Sequence, residues 1–276
     1  RTMYTNVLFD FKDAKSKVIA GTSVNKAGEE AQISVLEVLA WQNLVDTFGN
    51  VPYSEALDPQ ENTLPKYDDA ATIYADLMVR IDLAISQLNG ASGGFSKPDL
   101  LYGGDLAAWS KFANSLKLRL AMRLSDVNPS VSKAAAEQAV AAGVFTSNSD
   151  NTALQYLSAP PNTNPIWVAI IQSGRKDYVA ANTLVDYMND LGDPRLDHYF
   201  RDKVNGAYLG GPYGATNTYS KYSHINSQVL EPDFEGTLID FVEVSFLQAE
   251  AVERGYTISG SAEQHYNNGI EASILY

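Results

Sequence analysis

The 276-residue sequence predicts an all-α fold, a right-handed stack of helical hairpins with long irregular loop insertions. Two observations predict this class. Apolar residues recur with the helical period along much of the chain, and the periodic stretches begin and end at residues that cap helices. Residues 143–177 and 201–237 lack the period and contain clusters of Pro, Gly and aromatic residues. These two segments are the predicted insertions, and ordered aromatic-rich loops indicate a binding surface.

The clearest predicted helix spans residues 70–88, where apolar residues follow i, i+3, i+4, i+7 spacing. Asp68 or Asp69 is its predicted N-cap, and Gly90 ends it. Asp105 is predicted to cap the next helix and Asn128 a third. Further helices are predicted at residues 4–19, 33–48, 179–191, 239–255 and 261–276, with the 33–48 helix buried on several sides. Ser261 to Gln264 form a capping box that opens the last of them.

The helices also show a loose internal repeat. One tryptophan-and-apolar spacing occurs twice, at Trp41, Leu44 and Phe48 and at Trp109, Phe112 and Leu116. Ala262, Tyr266 and Gly269 follow the Phe246 helix at about the spacing of the second helix of a tetratricopeptide unit. In such units, large, small and aromatic residues let helix pairs nest and stack. We therefore expect one tetratricopeptide-like domain over residues 1–276.

Composition excludes several classes of function. The chain has 33 acidic and 20 basic residues and a formal net charge of −13, so its field repels phosphate backbones and no nucleic-acid partner is expected. Cys is absent, which removes disulfides, thiolate zinc sites and a cysteine nucleophile. No run of about 18 apolar residues is present. The chain begins at Arg1 and ends inside an apolar helical pattern at Tyr276, so we expect the interior of a longer protein, cut at both ends.

Catalytic and cofactor motifs are not found. The sequence contains three histidines and no H-E-x-x-H, no G-x-S-x-G and no phosphate-binding glycine motif. No cofactor, metal site or enzymatic activity is predicted, although paired carboxylates for glycoside hydrolysis stay open because their separation in space decides that chemistry. Residues 147–151 offer oxygen ligands for calcium but lack the EF-hand pattern, which favours a polar turn.

The positive signal is aromatic, since 16 of the 276 residues are Tyr and many lie outside helical stripes. Flat rings with a polar edge suit sugar rings, which have apolar C–H faces and hydroxyl rims. The alternative is that these rings fill gaps between the loops and the helices. The predicted ligand-binding residues, chosen for their position in the loops, are Trp167, Arg175, Tyr178, Tyr213, Tyr219 and Tyr222.

Four blocks of sequence, in order, resemble the SusD/RagB family and more closely its SusD-like second subfamily. The blocks are FGNVPYSEAL at residues 48–57 after Trp41 and Asp46, YGGD at 102–105 with WSKFANSLKLRLAMR at 109–123, DPRL at 193–196, and EVSFLQAEA at 243–251 with Arg254-Gly255. Their Gly, Pro and interleaved charged positions are typical of turns and of pairing across helices rather than of a catalytic site. We expect Asn114, Lys117, Arg119 and Arg123 to pair in this way.

The resemblance implies a surface-exposed outer-membrane lipoprotein of Gram-negative bacteria, with four tetratricopeptide-like hairpins and long insertions that form the ligand face. Such proteins are not enzymes. They lie as a lid on a SusC-like TonB-dependent transporter and help to capture glycans, or sometimes peptides, for import. The lipidated cysteine would lie before Arg1, so contact with the membrane is expected only through that anchor.

Two functions from different classes follow. The first is capture of an oligosaccharide or other nutrient, without chemistry, by stacking on loop aromatics. The second is an interaction module whose helical repeats grip the transporter or a peptide without binding sugar. A glycan-active enzyme is a third, less favoured alternative.

Overall fold

A computed structural model describes residues 2–276 and divides the chain into two compact units. The scaffold unit contains the residues up to Thr152 together with Thr237–Tyr276, and the loop unit is Ala153–Gly236. The single-domain interpretation of residues 1–276 stays a prediction, because compact units are not by themselves independently folding domains.

The fold is mostly helical, which confirms the predicted class. Within residues 2–276 the α-helices are α1 (Phe9–Ala20), α2 (Lys26–Phe48), α3 (Ala70–Gly90), α4 (Leu106–Arg123), α5 (Pro129–Ala142), α6 (Pro165–Trp167), α7 (Asn182–Leu191), α8 (Leu196–Tyr199), α9 (Phe241–Glu253) and α10 (Ala262–Leu275). A π-helical turn, Tyr4–Leu8, precedes α1, and a second, Val168–Gln172, follows α6. None of the helices in this part of the chain is long and apolar enough to cross a bilayer.

The strands are two to four residues long. They are β1 (Val51–Pro52), β2 (Tyr67–Asp68), β3 (Thr152–Leu154), β4 (Phe200–Arg201), β5 (His224–Ile225) and β6 (Gly236–Ile239). In the scaffold unit β1 pairs antiparallel with β2, and in the loop unit β4 pairs antiparallel with β5. Short 3₁₀ turns occur at Asn148–Asp150, Tyr219–Lys221 and Ser227–Leu230.

Successive helices pack as neighbours in the scaffold unit, as a stack of hairpins requires. Helix α2 packs on α3, α3 on α4, α4 on α5 and α9 on α10, and α4 also contacts α9. Trp41 and Trp109, the two tryptophans of the repeat, are both buried, and Phe112 and Leu116 are inaccessible to solvent. The repeat fails at its third position in α2, where Phe48 is 69% exposed. Phe48 is the last residue of α2, whereas Leu116 lies in the middle of α4.

The predicted caps are present. Asp69 accepts hydrogen bonds from the N–H groups of Ala71 and Thr72 at the start of α3. Asp105 and Asn128 cap α4 and α5 in the same way, and Ser261 caps α10. These side chains satisfy amides that have no partner inside the helix, which fixes where each helix begins.

The neighbouring Asp68 has a different role. Its carboxylate accepts from the backbone N–H groups of Tyr53 and Ser54 at 3.0 and 2.8 Å. These donors, with the Ser54 hydroxyl, lower the pKa of Asp68. These hydrogen bonds stabilise the turn within residues 48–57, the first of the family-like blocks. The turn begins at Gly49, which follows α2 and has a φ of +70°.

The YGGD block is held by Asp99. Its carboxylate accepts from the indole N–H of Trp109 at 2.7 Å and from the backbone N–H of Gly104 at 2.8 Å. Gly103 and Gly104 have φ values of +60° and +98°, which side-chain-bearing residues rarely adopt. The block therefore shapes the entry to α4 rather than a ligand site.

Charged residues of α4 pair across helices, as expected. The Lys117 ammonium lies 2.6 Å from the carboxylate of Asp82 in α3. Arg119 forms a bidentate ion pair with Glu243 of α9. The Arg123 guanidinium lies 3.6 Å from the carboxylate of Asp46 in α2. Asn114 is buried in α4, and its pairing across helices stays a prediction. The family-like blocks thus join α4 to three neighbouring helices.

The loop unit has its own small core of Ala180, Val185, Met188, Phe200 and Tyr208, with Leu196 packed against it. The DPRL block enters α8 through a turn in which the Asp193 carboxylate binds the Arg195 side chain and the Arg195 backbone N–H. These contacts lower the pKa of Asp193 to about 2.

Candidate functional site

All six predicted ligand-binding residues lie in the loop unit. Tyr213 is 82% exposed and Tyr178 is 50% exposed, and Arg175 is exposed beside Tyr178. Trp167, Tyr219 and Tyr222 are half-buried. Half of the set therefore presents its side chain largely to solvent, and the other half is partly packed into the unit.

Three backbone segments are joined by hydrogen bonds and hold three of these residues. The segments are residues 178–182, 209–213 and 221–224, which we call the three-segment junction. The Ala180 N–H donates to the Ser223 carbonyl at 2.9 Å, and the Gly211 N–H donates to the Ala180 carbonyl at 2.8 Å. Ser223 in turn donates its N–H to Leu209 at 2.8 Å. Tyr178, Tyr213 and Tyr222 lie on these segments, so the structure brings their backbones together.

Two glycines lie at this close approach. A Cβ at Gly210 would lie 2.4 Å from the Cα of Asn182, and one at Gly211 would lie 2.8 Å from side-chain atoms of Val179 and Asn217. Contacts this short do not occur between real Cβ atoms and backbone. Gly210 is therefore required for the segments to touch, whereas a Cβ at Gly211 would meet only side-chain atoms of Val179 and Asn217.

Asn182 fixes the position of Tyr213. Its side-chain oxygen accepts from the Tyr213 N–H at 3.1 Å, and its own N–H donates to the Gly211 carbonyl at 2.9 Å. The Tyr213 backbone is anchored while its ring stays exposed. An exposed ring on an anchored backbone costs little conformational entropy when it binds a ligand.

Arg175 and Tyr178 also contact each other. The Arg175 guanidinium lies over the Tyr178 ring, 5.1 Å from its centroid, and pairs with the Asp177 carboxylate. Asp177 raises the pKa of Arg175, and Arg175 lowers the pKa of Asp177. The pair offers a donor fork and an acceptor beside an aromatic face, which is a combination that suits ring hydroxyls.

Tyr219 stacks on a histidine. Its ring centroid lies 3.7 Å from that of His224, with 22° between the planes. His224 is buried and both of its ring nitrogens face oxygen atoms, one of Asp202 and one of the Tyr219 backbone. Tyr219 is therefore held by the unit on one side, which supports in part the view that such rings fill gaps.

Trp167 lies on a separate helical segment at the end of α6. Asn164 caps that segment through its side-chain oxygen, which accepts from the Ile166 and Trp167 N–H groups, and its amide donates to Phe234. Within residues 2–276 no hydrogen bond or ring contact joins Trp167 to the other five residues. The structure therefore does not place it with the three-segment junction.

Sequence reasoning missed Asn182, His224 and the Gly210-Gly211 pair as residues that position the tyrosines. The glycine pair had a visible signal, since it lies inside an aromatic-rich segment without helical period. Asn182 and His224 had none, because their partners lie 31 and 22 residues away in sequence.

A cavity of about 660 Å³ lies in the scaffold unit among α2, α4 and α9. Its charged lining residues are Asp46, Arg119, Arg123, Asp126, Glu243, Glu250 and Arg254. Each arginine is already paired with a carboxylate, including Arg254 with Asp126 at 2.7 Å. The cavity is polar, and four carboxylates and three guanidinium groups line it.

The polar turn at residues 147–151 uses its carboxylate internally. Asp150 accepts from the Lys111 ammonium at 2.7 Å and from the Thr146 N–H at 2.7 Å. Burial acts to raise the pKa of Asp150, but these donors outweigh it and the pKa is lowered. Within residues 2–276 no group of three or more His, Asp or Glu side chains is placed to share a metal ion.

Comparison with known proteins identifies a family with the same sequence pattern. A family model for SusD-like proteins, described as "Starch-binding associating with outer membrane", matches residues 1–276. Among curated proteins no match is found.

Solved structures share the fold. A chitin-binding protein is 31% identical with a TM-score of 0.84, and the match covers 99% of this chain and 61% of that one. A chitin-binding SusD homologue from Flavobacterium johnsoniae is 30% identical with a TM-score of 0.82, over 99% of this chain and 57% of that one.

A SusD homologue from Bacteroides thetaiotaomicron is 26% identical with a TM-score of 0.84, over 99% of this chain and 56% of that one. The chain thus spans between 56% and 61% of the length of these three structures. With the full-length family match and the shared fold, the chain belongs to the SusD-like family of outer-membrane-associated proteins.

Proposed function

We propose that the chain binds a glycan at the outer membrane without altering it, through aromatic side chains of the loop unit. The observation that carries the proposal is the three-segment junction, where exposed Tyr213 extends from a backbone that is hydrogen-bonded to Asn182 and exposed Tyr178 lies just before the hydrogen-bonded Ala180. Family membership and two similar structures named as chitin-binding support the choice of a glycan.

The expected interaction is stacking of sugar C–H faces on these rings, with Arg175 and Asp177 orienting hydroxyl groups. Each ring contributes about 0.5–1.5 kcal/mol. After the cost of ordering both partners, affinity is expected in the millimolar to micromolar range, on the order of −4 to −8 kcal/mol.

Calorimetry against chito-oligosaccharides, malto-oligosaccharides and unrelated peptides tests this function. A Tyr178→Ala, Tyr213→Ala double variant is expected to weaken glycan binding by roughly 5- to 150-fold, because it removes about 1–3 kcal/mol of stacking. Tyr187→Ala is the matched control, since Tyr187 on α7 of the same unit has an exposure between those of Tyr178 and Tyr213 but lies outside the junction. Unchanged affinity in the double variant would show that the glycan binds at another site. Absence of a binding signal with every glycan tested would reject the proposed function.

The charged cavity of the scaffold unit supports a contact with the transporter, and the alternative function is an interaction module that grips the transporter or a peptide without binding sugar. We propose that the bound glycan is delivered to a TonB-dependent transporter and that α2, α4 and α9 grip that partner, with the protein held at the cell surface by a lipid anchor outside the present sequence. Asp126 is 81% exposed at the cavity edge, and its ion pair with Arg254 is open to exchange with a partner.

Asp126→Lys is expected to weaken binding to the purified transporter while glycan affinity stays unchanged. Lys133→Glu, on the exposed side of α5 and outside the cavity, is the control. Equal transporter affinity in wild type and Asp126→Lys would remove the cavity from the interface.

A further inference from the structure

We propose that His224 is a positioning residue of the loop unit, which holds Tyr219 in place only while its imidazole carries two protons. The inference rests on the proposed function in one respect, namely that Tyr219 is among the residues expected to contact the ligand. The geometry of His224 itself stands apart from any ligand.

Both ring nitrogens of His224 face oxygen acceptors. Nδ1 lies 2.7 Å from Oδ2 of Asp202, and Nε2 lies 3.0 Å from the backbone carbonyl oxygen of Tyr219. A neutral imidazole has one N–H and one lone pair, so it can donate to only one of them. The observed arrangement is satisfied only by an imidazolium, in which both nitrogens donate.

Burial makes this requirement strict. The His224 side chain is only 8% exposed, so water is poorly placed to separate a lone pair from a carbonyl oxygen. The Tyr219 ring stacks on the imidazole at 3.7 Å between centroids. A cationic ring against an aromatic face adds attraction, so the same proton that bridges the carbonyl also strengthens the stack.

The charged groups around His224 decide which hydrogen bond is lost on deprotonation. Arg201 is opposite His224 in the β4–β5 pair, donates to the Ile225 carbonyl and lies 3.6 Å from Asp202. The Asp202 carboxylate therefore lies beside both Arg201 and His224, and its bond to Nδ1 is charge-assisted. The neutral tautomer keeps the proton on Nδ1 and turns the Nε2 lone pair toward the Tyr219 carbonyl. Loss of one proton thus breaks the hydrogen bond from Nε2 to the carbonyl of Tyr219 and keeps the one from Nδ1 to Asp202.

His265 provides an internal comparison. Its Nε2 lies 2.8 Å from the Ser259 carbonyl, and this is the hydrogen bond that its ring makes within residues 2–276. A neutral imidazole satisfies that contact completely. Deprotonation of His265 is therefore expected to leave its surroundings unchanged.

Ring-nitrogen NMR on the ligand-free protein, between about pH 5 and about pH 9, spans the range in which histidine side chains titrate and tests the proposal directly. His224→Gln and Tyr219→Phe serve to assign the signals. The expected result is that both His224 nitrogens are protonated at the acid end, and that the Tyr219 ring signals shift with the same midpoint as the imidazole. Tyr219 signals that stay constant while His224 loses its proton, or a single-proton His224 throughout, would overturn the proposal.

Glycan affinity is then measured with an N-acetylglucosamine tetramer as the probe. Wild-type affinity is expected to fall about fivefold as His224 deprotonates, which corresponds to one hydrogen bond of about 1 kcal/mol. His224→Phe keeps a ring for stacking but neither donor, so its affinity should not change over this pH range, while His265→Phe should behave as wild type. A His224→Phe variant with the wild-type pH profile would overturn the proposal.

The two proposals fail in different ways. If the wild type binds no glycan at any pH, the proposed function fails, and the NMR titration still decides whether His224 holds Tyr219. If glycan binds but does not depend on His224, the proposed function survives and this inference is rejected.

Discussion

Different forces stabilise the interior of the scaffold unit and that of the loop unit. In the scaffold unit, helices bury continuous apolar stripes, and large residues such as Phe112, Leu116 and Ile81 are inaccessible to solvent. In the loop unit, five buried residues form the core, and much of the order comes from backbone hydrogen bonds between segments such as 178–182 and 209–213. The hydrophobic effect scales with buried apolar area, so the scaffold unit is expected to be the more stable of the two.

The same difference separates the roles of aromatic residues. Trp41 and Trp109 are buried in the scaffold unit, where they contact other rings edge-on. Tyr178 and Tyr213 of the loop unit are mainly exposed. A buried ring contributes to stability, whereas an exposed ring on an ordered backbone is available to a ligand.

The largest expected effect is in the scaffold core. Phe112→Ala should lower the free energy of unfolding by about 4 kcal/mol, because it removes a fully buried ring and leaves a cavity beside Trp109. Urea unfolding followed by tryptophan fluorescence measures this. Phe48→Ala is the control and should change stability by about 0.5 kcal/mol or less, since Phe48 is mostly exposed. Similar losses in both variants would contradict the packing described for α4.

The next largest effect is expected in the loop unit alone. Gly210→Ala should destabilise the loop unit by about 2 kcal/mol, because the new Cβ would overlap the backbone of Asn182. Hydrogen exchange should show faster exchange of the Ala180 and Asn182 amides and unchanged exchange in α3 and α4. Gly90→Ala is the control, because a Cβ there meets no atom within 4 Å. If Gly210→Ala left the loop-unit amides protected, the close approach would not be needed for the junction.

A smaller effect is expected at the start of α4. Asp105→Ala should cost about 1 kcal/mol, because the N–H groups of Ala107 and Ala108 lose their acceptor. Asp105→Ser keeps a capping oxygen and should stay within a few tenths of a kcal/mol of wild type. Thermal unfolding of the two variants side by side measures the difference, and equal melting temperatures would show that the cap is dispensable.

The scaffold unit was the predictable part of the molecule. Local signals sufficed there, since the helical period of residues 70–88 and the caps at Asp69, Asp105, Asn128 and Ser261 act within a few residues of one another. The exposed end of α2 was not predictable, because the spacing of Phe48 matched a buried position. Whether a helix end is covered depends on its neighbours in space.

The candidate site was predictable only as a composition. An excess of Tyr in segments without period indicated a binding surface, and the structure joins the segments that carry Tyr178, Tyr213 and Tyr222 through hydrogen bonds of neighbouring residues. The residue that positions Tyr213 has a distant partner, since Asn182 and Tyr213 are 31 residues apart. No periodic pattern reports such pairs, so the sequence predicted which rings lie in the loops and not how they are held. That the six residues bind a ligand stays a prediction.

The smallest effect concerns the exposed turn of the loop unit, where Asp193 has a pKa lowered to about 2, first by the Arg195 side chain and then by its backbone N–H. The ordinary pKa of Asp is about 3.9. Because the folded value is the lower one, this carboxylate stabilises the fold above about pH 4, and the contribution is lost as pH falls toward about 2. Carboxyl-carbon NMR should find the Asp193 midpoint near the lower end of that range.

In Arg195→Gln the Asp193 midpoint should rise part of the way toward the ordinary value, because the backbone N–H still donates to the carboxylate. Arg175→Gln removes the guanidinium of a separate Asp–Arg pair in the loop unit, and it should leave the Asp193 midpoint unchanged. An Asp193 midpoint at the ordinary value in the wild type would show that this turn is open in solution. In that case, packing of Leu196 against the small core, and not the ion pair, would hold the DPRL block at the start of α8.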